Sequence, residues 1–119
     1  MNLPPLQRNR RGVFNITIYD ESGARQNLTG CSVIIYFKDN KNKTDAQANF
    51  TRSIGSGLTV VSMTQGELQL EVTAANTNAL DWSQSPLTIP LYWSTVLTDG
   101  AGKTWPVHGL AGVFPIVAG

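Results

Sequence analysis

Gly66-Glu67-Leu68-Gln69-Leu70-Glu71-Val72 is the stretch on which the fold turns. Leu68, Leu70 and Val72 stand on one parity, and Glu67, Gln69 and Glu71 on the other. Successive side chains of a strand point to opposite faces, so this alternation predicts a strand with one face in a core and one in water. Outward from it, Ser53-Ile54-Gly55-Ser56-Gly57 turns into a second strand at Leu58-Thr59-Val60-Val61. On the other side, Thr73 to Leu80 is the one segment with helical character. At about two turns it is too short to stand alone and is expected to dock as a connection.

The remaining strands follow the same logic. Val13 to Tyr19 alternates Phe14, Ile16 and Ile18 against Asn15 and Thr17, and Asp20-Glu21-Ser22-Gly23 ends it as a turn. Cys31 to Phe37 is apolar on both parities and reads as an interior strand covered on both faces. A further strand is expected over Ala48 to Arg52. Leu87 to Leu97 is the longest candidate, and Pro90 inside it removes one ladder donor, which argues for an edge or a bulge near its start. Thr98-Asp99-Gly100-Ala101-Gly102 is a hairpin loop leading into Lys103 to Val107 and Gly112 to Val117. Turn signals every ~8 to 12 residues without a long helix predict an all-β, two-sheet antiparallel sandwich of about seven strands.

Composition agrees with that reading. The chain has 119 residues, 41% hydrophobic and 14% charged, below the ~25% charged of an average globular protein and suited to strands and turns. Nine Lys plus Arg against eight Asp plus Glu leave no basic excess for a nucleic-acid binder. A single Cys, Cys31, excludes an intrachain disulfide and thiolate zinc clusters, and its apolar surroundings favour a packed thiol. No run approaches the ~20 apolar residues of a membrane span, and the prolines and charges near the start do not form an export signal, so synthesis in a cytoplasm is expected.

Candidate chemistries fall in turn. Gly100-Ala101-Gly102-Lys103-Thr104 ends like a phosphate loop, but Leu97 stands where the first glycine belongs and Trp105-Pro106 follows in place of a helix. The sequons at Asn15, Asn27, Asn42 and Asn49 are a by-product of abundant Asn and Thr. Asp39, Asn40, Asn42 and Asp45 crowd one loop, but Lys41 and Lys43 interleave, and a solvated loop is expected in place of a calcium site. His108 stands alone, without a nucleophile elbow or a second ligand. Glu67 and Glu71 would sit ~13 Å apart on one strand, too far for a glycosidase pair. No enzyme, cofactor or metal is therefore expected.

Two features suggest binding. Residues 1–11 form an extended amino-terminal arm ahead of a domain over residues 12–119, with anchors Leu3, Pro4, Pro5 and Leu6 and charges Arg8, Arg10 and Arg11, able to lie along a partner. Trp82 and Trp105 are candidates for a carbohydrate-stacking platform.

From Gly12 onward the order of pieces resembles small immunoglobulin-like modules of bacteriophage virions, similar to the amino-terminal domain of siphophage upper baseplate proteins and related tail or head accessory proteins. The resemblance is carried by Gly66 to Val72, Ala75 to Leu80, Leu91-Tyr92-Trp93, Thr98 to Lys103 and Gly112-Val113-Phe114-Pro115-Ile116-Val117. It implies an immunoglobulin-like sandwich and a non-enzymatic structural protein of the virion. Its expected partners are capsid or tail subunits or further copies of itself, with no membrane or specific nucleic acid. The alternative is a host-surface carbohydrate or receptor-binding module using exposed tryptophans.

Overall fold

The computed structural model describes residues 3–83 and 87–118, without the side chain of His108. Among these the chain is all-β. The strands are β1 (Leu6–Gln7), β2 (Gly12–Thr17), β3 (Ser32–Lys38), β4 (Phe50–Ile54), β5 (Gly57–Ser62), β6 (Glu67–Val72), β7 (Thr88–Thr98) and β8 (Thr104–Val117). A 3-10 turn at Asp45–Gln47 and the short helix α1 (Ala74–Asn78) complete the elements.

The alternation in β6 is realised as read. Leu68, Leu70 and Val72 are buried while Gln69 is exposed. β6 sits between β5 and β2, with Ile16 opposite Leu68 and Phe14 opposite Leu70. Gly66 opens it because nothing larger fits: a Cβ there would stand 2.7 Å from the carbonyl oxygens of both Ile18 and Gln26. α1 ends the strand through a reciprocal cap, with Thr73 Oγ1 accepting from Asn76 N–H at 3.1 Å and Asn76 Oδ1 accepting from Thr73 N–H at 2.9 Å.

The strands join in one hydrogen-bonded order, β1-β8-β7-β3-β4-β5-β6-β2. Phe114 on β8 meets Phe37 on β3 at 6.3 Å and Phe14 on β2 at 6.5 Å, both edge to face. Strands from the middle and both ends of the order thus share one core, so the sheet is rolled nearly into a barrel. Leu91, Leu97 and Ile116 close that core with no exposed surface.

The all-β class is borne out, with eight strands joined by hydrogen bonding in one continuous rolled sheet. Several expectations need correction. Two pairings are parallel, β1 with β8 and β4 with β5. The first arises because residues 6–7 lie beside the end of β8; the second because the Gly55-Ser56 corner carries the chain onward without reversing it. On β3 only one face is fully covered: Val33, Ile35 and Phe37 are buried, Ile34 and Tyr36 half-buried. β4 runs two residues later than expected, starting at the one large apolar side chain, Phe50.

Pro90 faces Pro115 across β7 and β8. Ala118 N–H donates to Leu87 O at 2.8 Å, which makes alternate pairs from that point hydrogen-bonded and leaves Pro90 and Pro115 in a non-bonded pair. Their nitrogens point away from each other, Pro90 toward a side where β3 has already ended.

Candidate functional site

Two turns have the same chemistry. Asp20-Glu21-Ser22-Gly23 and Asp99-Gly100-Ala101-Gly102 carry Asp and Gly at one spacing. Asp20 Oδ1 accepts from the N–H of Ser22 at 2.9 Å and of Ala24 at 3.0 Å. Asp99 Oδ1 accepts from the N–H of Ala101 at 3.0 Å and of Lys103 at 2.9 Å. Gly23 and Gly102 each donate to the carbonyl of their Asp at 3.0 Å, with φ of +87° and +86°, a conformation glycine adopts without steric cost. The Ser22 hydroxyl, with the turn N–H groups, holds the Asp20 carboxyl below its ordinary pKa. With Oδ1 committed to the turn in each case, Oδ2 of neither Asp takes a hydrogen bond from a described residue.

Half-buried Trp105 lies beside both turns. A hollow of about 380 Å³ is lined by Asp20, Glu21, Gln26, Asp99, Lys103 and Trp105. A second, about 310 Å³, shares Asp20, Glu21 and Trp105 and adds Tyr19, which is 51% exposed. With Asp20, Glu21 and Trp105 in common, the two hollows count as one cleft. Lys103 Nζ lies 5.6 Å from the Trp105 ring centroid.

Trp82 lines neither hollow. Its Nε1 donates to Thr77 O at 2.9 Å, and the Arg8 guanidinium lies 4.7 Å over its ring. The structure therefore does not join the two tryptophans into one platform.

The arm lies on its own body. Leu3 is 5% exposed, and Leu6 and Gln7 run parallel to Ile116 and Val117. Arg8 N–H donates to Val117 O at 2.8 Å and Arg8 Nε to Asn78 Oδ1 at 2.9 Å. Asn9 N–H donates to Thr77 Oγ1 at 3.1 Å, and Arg11 pairs with Glu71. Pro4, Pro5 and Arg10 remain exposed.

One buried carboxylate escaped sequence reasoning. Asp39, expected in a solvated loop, is 2% exposed. Its Oδ2 accepts from Asn49 Nδ2 at 2.8 Å and from Asp81 N–H at 2.9 Å, and its Oδ1 lies 2.8 Å from Lys43 Nζ. Burial raises its pKa, but Lys43, the Asp81 N–H and Asn49 outweigh that and hold it below the ordinary value. This knot ties the end of β3 to the segment after α1, a structural task.

The other singled-out residues carry structure. Half-buried Cys31 has its thiol pKa raised by burial and by the nearby Asp99 charge, which suits an unreactive thiol. Glu67 pairs with Arg25, and Glu71 with Arg11 and Arg52. The side chain of His108 lies outside the described residues. Among the described residues no group of three or more His, Cys, Asp or Glu side chains is placed to hold a metal ion, and no helix is long and apolar enough to cross a membrane.

A sheet edge completes the inventory. Among the described residues β2 pairs with β6 alone. Ile18 N–H donates to Gly66 O at 2.9 Å in the same register, so the N–H and C=O groups of Val13, Asn15 and Thr17 point away from β6 along the outer edge. Toward the opposite end of the order, β1 covers only Ile116 and Val117 of β8, and β8 carries Pro106 and Pro115 and a register shift against β7 between Ser94 and Val96. Prolines and bulges blunt an edge against further pairing, and β2 has neither. No family model and no curated protein matches this sequence.

Proposed function

We propose that this chain is a non-enzymatic, immunoglobulin-like module of a bacteriophage virion that attaches in many copies to capsid or tail and baseplate subunits. The observation that carries the reading is the unblunted β2 edge, whose outward backbone groups offer a template for a partner strand. Val13, 40% exposed on that strand, supplies an apolar contact beside the template. From the arm, the exposed Pro4, Pro5 and Arg10 offer further contacts to a partner, while Leu3, Leu6, Arg8 and Arg11 serve mainly to hold the arm to its own body.

The immunoglobulin-like part of the reading is supported by interleaved pairing. β2 pairs with β6 and β3 with β7, so the chain leaves its neighbour in the order between β2 and β3 and again between β6 and β7, and β1 runs parallel beside the final strand. Repetition on a symmetric particle makes a small interface sufficient, since multivalent placement raises apparent affinity by ~10²-fold or more.

The test is protein composition and cryo-electron microscopy of particles produced by the genome that encodes the chain. The expected density is a stoichiometric set of copies whose β2 edge faces a neighbouring subunit. Asn15→Pro, which places a ring against an incoming strand without touching the β6 ladder, is expected to prevent incorporation of a folded protein. Particles lacking the chain, or normal incorporation of the variant, overturn the proposal.

A further inference from the structure

We propose that the cleft around Trp105 is a binding site for a neutral saccharide. The inference is independent of virion attachment: it rests on a different face and on different residues.

Four features of the cleft carry it. Trp105 lines both hollows, of about 380 and 310 Å³, which is room for more than one sugar ring. Tyr19, half exposed in the second hollow, offers another ring. Stacking of a sugar's C–H face on such a ring buries apolar surface without demanding a charged ligand.

The polar groups are mixed, as a polyhydroxylated ligand requires. Asp20 and Asp99 present carboxylate oxygens that the turns leave without partners, and both carboxylates are fixed by two backbone N–H groups each. Acceptors held this way lose little freedom when a hydroxyl donates to them. The Gln26 amide both donates and accepts, and Lys103 donates.

Charge selects the class of saccharide. Asp20, Glu21 and Asp99 outnumber Lys103 in the lining, so an acidic sugar meets net repulsion. A fully cationic ligand meets Lys103 above the Trp105 ring, the surface it would seek. A neutral ring avoids both conflicts. Trp82, which lines neither hollow and donates its N–H to its own chain, has no part in the site.

The experiment is a titration of the full chain, labelled with nitrogen-15, with neutral oligosaccharides of glucose, galactose, mannose and N-acetylglucosamine, and with an oligogalacturonate as the acidic counterpart. A site of this size is expected to bind at about 1 mM. The Trp105 indole signal and the amides of Ser22 and Ala101 are expected to shift with at least one neutral oligosaccharide, while the Trp82 indole stays still. Trp105→Ala is expected to weaken binding about tenfold or more, roughly 1.4 kcal/mol. Asp99→Asn, which keeps the turn's acceptor oxygen, is expected to weaken it severalfold and guards against a folding defect in the first variant. No shift with any neutral oligosaccharide at ~20 mM, equal response to the acidic one, or unchanged affinity in both variants overturns the proposal.

Discussion

Asp20 and Asp99, near opposite ends of the chain, use the same carboxylate oxygen to accept the N–H groups two and four residues ahead, and so build one turn twice. Removing the Asp99 acceptor is therefore expected to leave two backbone donors without their partner. Asp99→Ala should lower stability by about 1–2 kcal/mol and Asp99→Asn by less, because the amide oxygen still accepts. Urea unfolding midpoints of the two variants check the order. Asp20→Ala is expected to act in the same direction.

The seating of the arm makes a second prediction. Leu3 is buried against the core, so Leu3→Ala should cost about 2–3 kcal/mol by loss of packing. Deletion through residue 11 removes β1 and the guanidinium over Trp82 as well, and is expected to give a folded but less stable chain. Denaturant unfolding measures the loss, and a red shift of tryptophan emission reports the uncovering of Trp82.

Acid should unpick the Asp39 knot. The folded-state pKa of Asp39 is depressed, so its contribution is fully present above the unfolded value of about 3.9 and is lost as pH falls through the lower folded value. The stability gap between wild type and Asp39→Asn is thus expected to be constant near neutrality and to shrink below about pH 4. Thermal melts of both proteins across the acid range read that gap directly.

A buried hydroxyl offers a test of opposite sign. Thr95 is 1% exposed and its Oγ1 has no hydrogen-bond partner among the described residues. Thr95→Val keeps the shape and removes the unpaired group, so it should stabilise the fold by about 1 kcal/mol. A lower unfolding midpoint in the variant contradicts this account.

Legibility in the sequence followed exposure to water. β6 and β2 were readable because one face of each is solvated, and solvent imposes alternation. β1 was not, since two residues have no period and owe their strand conformation to Ile116 and Val117 alongside. Asp39 looked solvated because its loop is polar; its burial depends on Asn49 and Asp81, which only the fold brings near. Both tryptophans were equal candidates in sequence and both carry a cation over the ring; only the fold, which places Trp105 and not Trp82 in the hollows, separates them. A signal for the cleft did exist: Asp and Gly recur at one spacing at 20–23 and 99–102, and identical spacing meant identical turns.

Pro90 opposite Pro115 carries a consequence for how the longest hairpin assembles. Were β8 to slide by one residue along β7, Pro90 and Pro115 would fall in neighbouring pairs, one of which is hydrogen-bonded, and one ring nitrogen would be presented to a carbonyl that needs a proton it does not have. A hairpin misaligned by one residue therefore loses a ladder bond that the native alignment keeps, and the facing prolines act as a ratchet tooth against odd-numbered slips.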